Sequence, residues 1–148
     1  MKKHIFIFFI FALFFSACGT NPDEPVSDSP DSNPSGTADY LPKPEDGLLT
    51  RGEAYINSSD LLTMESYPLQ FMLNLKGNTP TPCHQLRVLV NPPDAENKIL
   101  VEVYSVSDPN AICVQVLSPF EVNIPLGSFA PGYYILLING EQAAEFEA

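Results

Sequence analysis

Tyr133-Tyr134-Ile135-Leu136-Leu137-Ile138-Asn139-Gly140-Glu141-Gln142-Ala143-Ala144-Glu145-Phe146 is the stretch that decides the fold. Tyr133 to Ile138 is apolar and rich in β-prone residues. It runs directly into Asn139-Gly140. Both residues of that pair tolerate positive φ, so Asn-Gly between two β-type runs selects a type I′ turn and a two-residue hairpin. The reading pairs Tyr133–Ile138 with Gln142–Phe146 as antiparallel strands.

The same period of two recurs upstream. Leu69, Phe71, Leu73 and Leu75 alternate with Gln70, Met72, Asn74 and Lys76, the pattern of a half-buried strand. Leu86, Val88 and Val90 form a second set, and Asn91-Pro92-Pro93-Asp94 closes it with a turn signal. Ile99 to Val106 is almost continuously apolar and predicts a central strand. Asp108-Pro109-Asn110 marks another turn. Ile112, Val114 and Val116 predict a further strand, and Phe120, Val122, Ile124 and Leu126 another. Pro125 assigns that last one to an edge or a strand end. Glu53–Ile56 and Leu61–Met64 add one or two more, and no window carries helical periodicity. Seven to eight short strands with turns every 8–12 residues predict an all-β fold, an antiparallel β-sandwich.

This domain, residues 48–148, resembles the immunoglobulin-like class in length, strand count and the Pro131-Gly132-Tyr133-Tyr134 segment near its last strands. It departs from true immunoglobulin domains in having no Trp and in the close spacing of its cysteines. The resemblance implies architecture and no activity.

Residues 18–47 have a different character. They hold six prolines, seven acidic residues and one lysine, with little to bury. Such a segment cannot offset its ordering entropy and is expected to be a disordered acidic tether. As a coil its ends lie about 30 Å apart, and fully extended it reaches about 90 Å.

Residues 1–17 precede it. Met1-Lys2-Lys3, an unbroken apolar run from Ile5 to Phe15, and Ser16-Ala17 have the order of a secretory signal. The run is too short for a spanning helix, which needs about 20 residues. Because it ends on Ala17-Cys18-Gly19, the segment resembles a bacterial lipoprotein signal, with Phe15 where that family usually has Leu. The resemblance implies cleavage before Cys18, a diacylglyceryl group on its sulfur and an acyl chain such as palmitate on its nitrogen. It also implies a cell-envelope address outside the cytoplasm. Gly19 is not the aspartate that often retains lipoproteins at an inner membrane, which favours an outer membrane where one exists.

Without residues 1–17 the chain has 5 Lys and Arg against 18 Asp and Glu, a net charge of −13. Nucleic acid requires a basic footprint and is not an expected partner. Anionic lipid headgroups would repel such a body, so lipid at Cys18 is the expected membrane contact. An unidentified protein or envelope ligand is the other expected partner.

Cys83 and Cys113 remain, and an exported protein meets an oxidising compartment. A disulfide between them would close a loop of about 30 residues, worth roughly 3–4 kcal/mol in loop-closure entropy. The spacing leaves open whether it joins two strands across the sandwich or within one sheet. The alternative, a metal site of Cys83, His84 and Cys113, has poor ligand spacing, because neighbours on a strand point to opposite faces. No cofactor or metal is expected.

Residues suited to catalysis are sparse. His84 is the one histidine after residue 17 and lacks a Gly-x-Ser-x-Gly partner motif. Asp94 with Glu96, and Glu141 with Glu145 and Glu147, read as solvated charge rather than paired catalytic carboxylates. Asp94, Glu96 and Asp108 flank opposite ends of one predicted strand, so a calcium site would not converge. Tyr133, Tyr134, Phe120 and Phe129 could form an aromatic patch, although alternation sends one tyrosine inward as core. Pro80-Thr81-Pro82-Cys83-His84 is a rigid loop of the kind small sandwich protease inhibitors present to clefts. The expectation is a non-enzymatic binding, adhesion or structural module. A protease-inhibitor-like module is the alternative and a small hydrolase the remote one.

Overall fold

The structure is a computed structural model that describes residues 39–148. The expected signal, Cys18 and most of the tether lie outside the described residues. Eight strands follow one 3-10 turn at Pro44–Leu48. They are β1 (Thr50–Gly52), β2 (Tyr55–Met64), β3 (Gln70–Thr79), β4 (Gln85–Val90), β5 (Lys98–Ser107), β6 (Ser118–Gly127), β7 (Tyr133–Ile138) and β8 (Glu141–Glu147). They form two sheets, β2-β3-β6 and a five-stranded sheet centred on β5. The all-β sandwich predicted from the alternation is the fold.

The inward residues are those the period of two selects. Leu73 and Leu75 of β3 meet Ile99, Val101 and Val103 of β5, with Val88, Ile124, Tyr134, Leu136 and Ile138 around them, and Phe71 is buried further along β3. Near-complete burial of side chains this size stabilises by about 1.5–3 kcal/mol each. Phe71, Phe129, Tyr134 and Phe146 pack as one aromatic group, with ring centroids 4.4–5.8 Å apart. Phe120 is not part of it. It lies towards the other end, against Gly77, where a Cβ would come within 2.6 Å of the ring and 2.2 Å of the Tyr55 carbonyl.

One strand pair departs from the antiparallel expectation. β5 and β7 are parallel, from Lys98↔Ile135 to Val101↔Ile138. Parallel neighbours need a long crossover, and here β6, in the opposite sheet, is that crossover. β1 pairs further along β5, from Thr50↔Ser107 to Gly52↔Ser105. β4 takes β5 from Val101 to Val106 in its own ladder.

Val103 falls in the gap between the β7 and β1 pairings. The turn residue Asn139 fills that gap. Its Oδ1 accepts the Val103 amide at 2.8 Å, and its Nδ2 donates to the Val103 carbonyl at 2.9 Å. Asn139 and Gly140 have φ of 50° and 91°, as the type I′ turn requires. One side chain thus stands in for a missing strand residue. Asn139→Asp is expected to lower stability by about 2 kcal/mol, because the Val103 carbonyl then faces an acceptor instead of a donor. Asn139→Gly, which keeps the turn, should lose a similar amount. Thermal unfolding of the two variants checks this, and an unshifted midpoint for Asn139→Gly would show that the side-chain bridge adds nothing.

Two expectations need correction. The domain does not start at residue 48. Tyr40 packs against the core, its carbonyl accepts the Val88 amide at 2.8 Å, and its hydroxyl donates to the Asn123 carbonyl at 3.1 Å. Residues 39–49 therefore form a strap across the β4 edge, held by a residue the composition of the segment conceals. The second concerns Ile112, Val114 and Val116, which form no strand. The chain there crosses from the β5 sheet to the β6 sheet, and Cys113 is bonded to Cys83, so no neighbouring strand runs alongside.

Candidate functional site

The sequence-selected residues collect at one end of the sandwich. Two connections cross between the sheets there: residues 80–84, from β3 to β4, and residues 108–117, from β5 to β6. Cys83 and Cys113 join them in a disulfide. Neither cysteine lies in a strand, so the bond ties crossover to crossover rather than strand to strand. The Cys83 amide also donates to Cys113 Sγ at 3.2 Å.

His84 is engaged locally. Its Nδ1 lies 2.8 Å from Thr81 Oγ1. Thr81 is buried, and its hydroxyl also accepts the Cys83 amide at 3.3 Å. A hydroxyl used in this way braces the loop and is not open to a substrate. Thr79, also buried, donates to the Thr81 carbonyl at 3.1 Å. These bonds brace the Pro80–His84 loop from within, with Pro82 at its exposed point.

The carboxylates are equally local. Asp94 Oδ1 accepts the amides of Glu96 and Lys98, closing the turn before β5. Asp108 Oδ1 accepts the Asn110 amide in the turn after it. Glu145 accepts from Gln142 at 2.7 Å and from the Tyr133 hydroxyl, whose proton it thereby holds more tightly than usual. Tyr133 faces out and Tyr134 faces in. Among the described residues no group of three His, Cys, Asp or Glu side chains is placed to hold a metal ion.

Sequence reasoning missed the most buried charged residue among the described ones. Arg87, in β4, is 1% exposed. It alternates with the core residue Val88 and so lies on the opposite face of its sheet, which the strap covers. Its Nε and Nη2 make a two-pronged bond to Asp46, at 2.7 and 2.9 Å. Nη2 also reaches Gln85 Oε1 at 2.9 Å, and Nη1 the Leu86 and Asp39 carbonyls at 2.9 and 3.3 Å. The guanidinium holds the Asp46 carboxyl below the ordinary aspartate range, against the opposing effect of burial. Asp46 additionally accepts the Lys43 amide at 2.8 Å, which starts the 3-10 turn. A lone arginine in an apolar strand, with acidic residues in a segment marked as tether, was the only trace of this in the sequence.

Two cavities of about 280 Å³ flank Tyr40 along the open side between β4 and β6. One is lined by Leu41, Pro42, Leu89 and Pro125, the other by His84, Gln85, Phe120 and Val122. Arg51 lies over the Tyr104 ring at 3.7 Å and bonds Glu102 at 3.2 Å. Beyond the disulfide the 108–117 crossover is apolar and uncovered. Ile112 is fully exposed, and Val114, Val116 and Leu117 are more than half exposed.

These features define a small, disulfide-tied, two-sheet β-sandwich. The chain belongs to the ORF11 beta-sandwich domain family, whose match covers residues 73–148. That span runs from within β3 to the C-terminal residue. No curated protein and no solved structure matches the chain.

Proposed function

We propose that the chain is a bacterial envelope lipoprotein, held to a membrane by lipid on Cys18, whose sandwich is a non-catalytic binding or structural module. The observation that carries this reading is the order of residues 1–18: basic, apolar, small, then cysteine. The pairing of Cys83 with Cys113 supports it, because disulfides persist in oxidising compartments and the pairing leaves Cys18 as the one cysteine outside it. The net charge of −13 supports an anchor made by lipid rather than by basic side chains. The module reading is supported by the local engagement of His84, Asp94, Asp108 and Glu145, each bound within its own turn or hairpin.

Detergent phase separation of cells expressing the full chain tests the anchor. The wild-type protein is expected in the detergent phase and Cys18→Ala in the aqueous phase or the medium. Retention of Cys18→Ala in the detergent phase would contradict the assignment.

A further inference from the structure

We propose that the Ile112–Leu117 crossover is a second membrane contact, which lays the disulfide end of the sandwich against a zwitterionic bilayer. The inference rests on the anchored reading above and adds an orientation to it. Three observations lead to it.

The first is the surface itself. Ile112, Val114, Val116 and Leu117 project from one short crossover, with Ile112 wholly in solvent. A protein normally turns such a run inward, and a clustered exposed apolar patch marks a contact site. The Cys83–Cys113 bond holds the crossover in shape. Short bonds from the Ala111 amide to Asp108 and from the Val116 amide to Val114 fix it further. A loop ordered beforehand loses little freedom when it docks.

The second is charge. The body is strongly acidic, yet residues 77–86 and 109–120, the two stretches that meet at the disulfide, contain no Asp, Glu, Lys or Arg, and Asp108, at the start of the crossover, and Asp39 border them. An uncharged apolar tip on an acidic body suits a neutral headgroup layer. It does not suit an anionic layer, which would repel the body behind it, nor a basic partner, which would seek the acidic faces.

The third is where the chain arrives. The Asp39 and Tyr40 carbonyls meet Arg87 and Val88, and Leu41 and Pro42 continue beside Leu89 and Val90. Residues 39–42 therefore run alongside β4 in its own direction. Asp39, the first described residue, lies towards the start of β4, where it lines a cavity with His84, the residue after Cys83. Twenty residues separate Cys18 from Asp39. A span of that length reaches at most about 70 Å. The tip and the incoming chain share one end, so the tether holds the tip near the bilayer at a high effective concentration, and the apolar surface supplies the preference for docking by that end.

The chain contains no tryptophan, so one introduced tryptophan reports its own surroundings. Val114→Trp places it on the tip. Tyr67→Trp places it in the turn between β2 and β3, at a fully exposed position at the opposite end. Each full-length lipidated variant is reconstituted into phosphatidylcholine vesicles with or without brominated acyl chains. Bromine should quench Val114→Trp about twofold, as expected for a side chain seated at the acyl boundary, and leave Tyr67→Trp unchanged. Vesicle-bound Val114→Trp without quenching, or equal quenching at both positions, would overturn the inference while the anchor stands. A blue shift of Val114→Trp that grows with protein concentration in detergent, without vesicles, would overturn it in favour of contact between copies of the chain. Failure of the protein to float with vesicles at all would instead refute the lipid anchor. Ile112→Trp repeats the measurement if Val114→Trp does not fold.

Discussion

Replacing Arg87 with alanine is expected to lower the stability of the domain by about 3–5 kcal/mol, the cost of breaking a buried ion pair from one side. The variant leaves Asp46, whose side chain is 12% exposed, without the guanidinium that offsets its desolvation. It also removes the donors that hold the Asp39 and Leu86 carbonyls. Asp46→Ala should cost a comparable amount. The double variant should cost far less than the sum, because the second substitution finds no partner left to strand. Small domains hold only about 5–15 kcal/mol in total, so either single change should remove a large share of it and lower the midpoint of urea unfolding by at least about 1 M. The Cys18→Ala chain allows that measurement in solution.

The same pair predicts an acid dependence. Asp46 has its folded carboxyl held below the ordinary value, first by the bond from Arg87. A depressed folded value adds stability above the unfolded value, and that stability is lost as the pH falls through the folded one. The contribution should be complete above about pH 5 and should fade progressively below about pH 4. Asp46→Asn should remove this part of the acid sensitivity. An acid limb of the same steepness in Asp46→Asn would show that other carboxylates dominate it.

Removing the disulfide is the second large effect. Cys83→Ala with Cys113→Ala releases a loop of sequence separation 30. It should cost about 3.5 kcal/mol in loop-closure entropy, or about 15 °C in Tm. The loss falls on the two crossovers and not on a strand pair, so the ladders of both sheets should persist at low temperature. Reducing agent added to the wild-type protein should reproduce the shift. An unchanged Tm under reduction would mean that the crossovers are held by their own hydrogen bonds, among them those of Thr79 and Thr81.

Much of the fold was legible because a half-buried strand writes its burial into a period of two. β3 and β6 carry that pattern cleanly, β5 and β7 were legible instead as near-continuous apolar runs, and Asn139-Gly140 states its own turn. Three features were not legible, each for a physical reason. Ile112, Val114 and Val116 alternate like a strand, but pairing needs a neighbour, and a chain crossing between sheets has none. The parallel β5–β7 pair depends on which sheet β6 joins, a long-range choice that local pattern does not encode. The strap over Arg87 is written in a proline-rich acidic segment whose composition resembles a tether. Only Tyr40 and the spacing of Asp46 distinguish it, and neither has meaning until β4 is in position. At the candidate site, Cys83, His84 and Cys113 were legible as neighbours, whereas Thr81 as the partner of His84 was not.

We propose that this sandwich works from a membrane, tied there by lipid on Cys18. Intact mass of the protein extracted from membranes tests it most directly. The expected mass is that of residues 18–148 plus acyl groups, less two daltons for the Cys83–Cys113 bond. A mass beginning at another residue, without lipid, would contradict the claim.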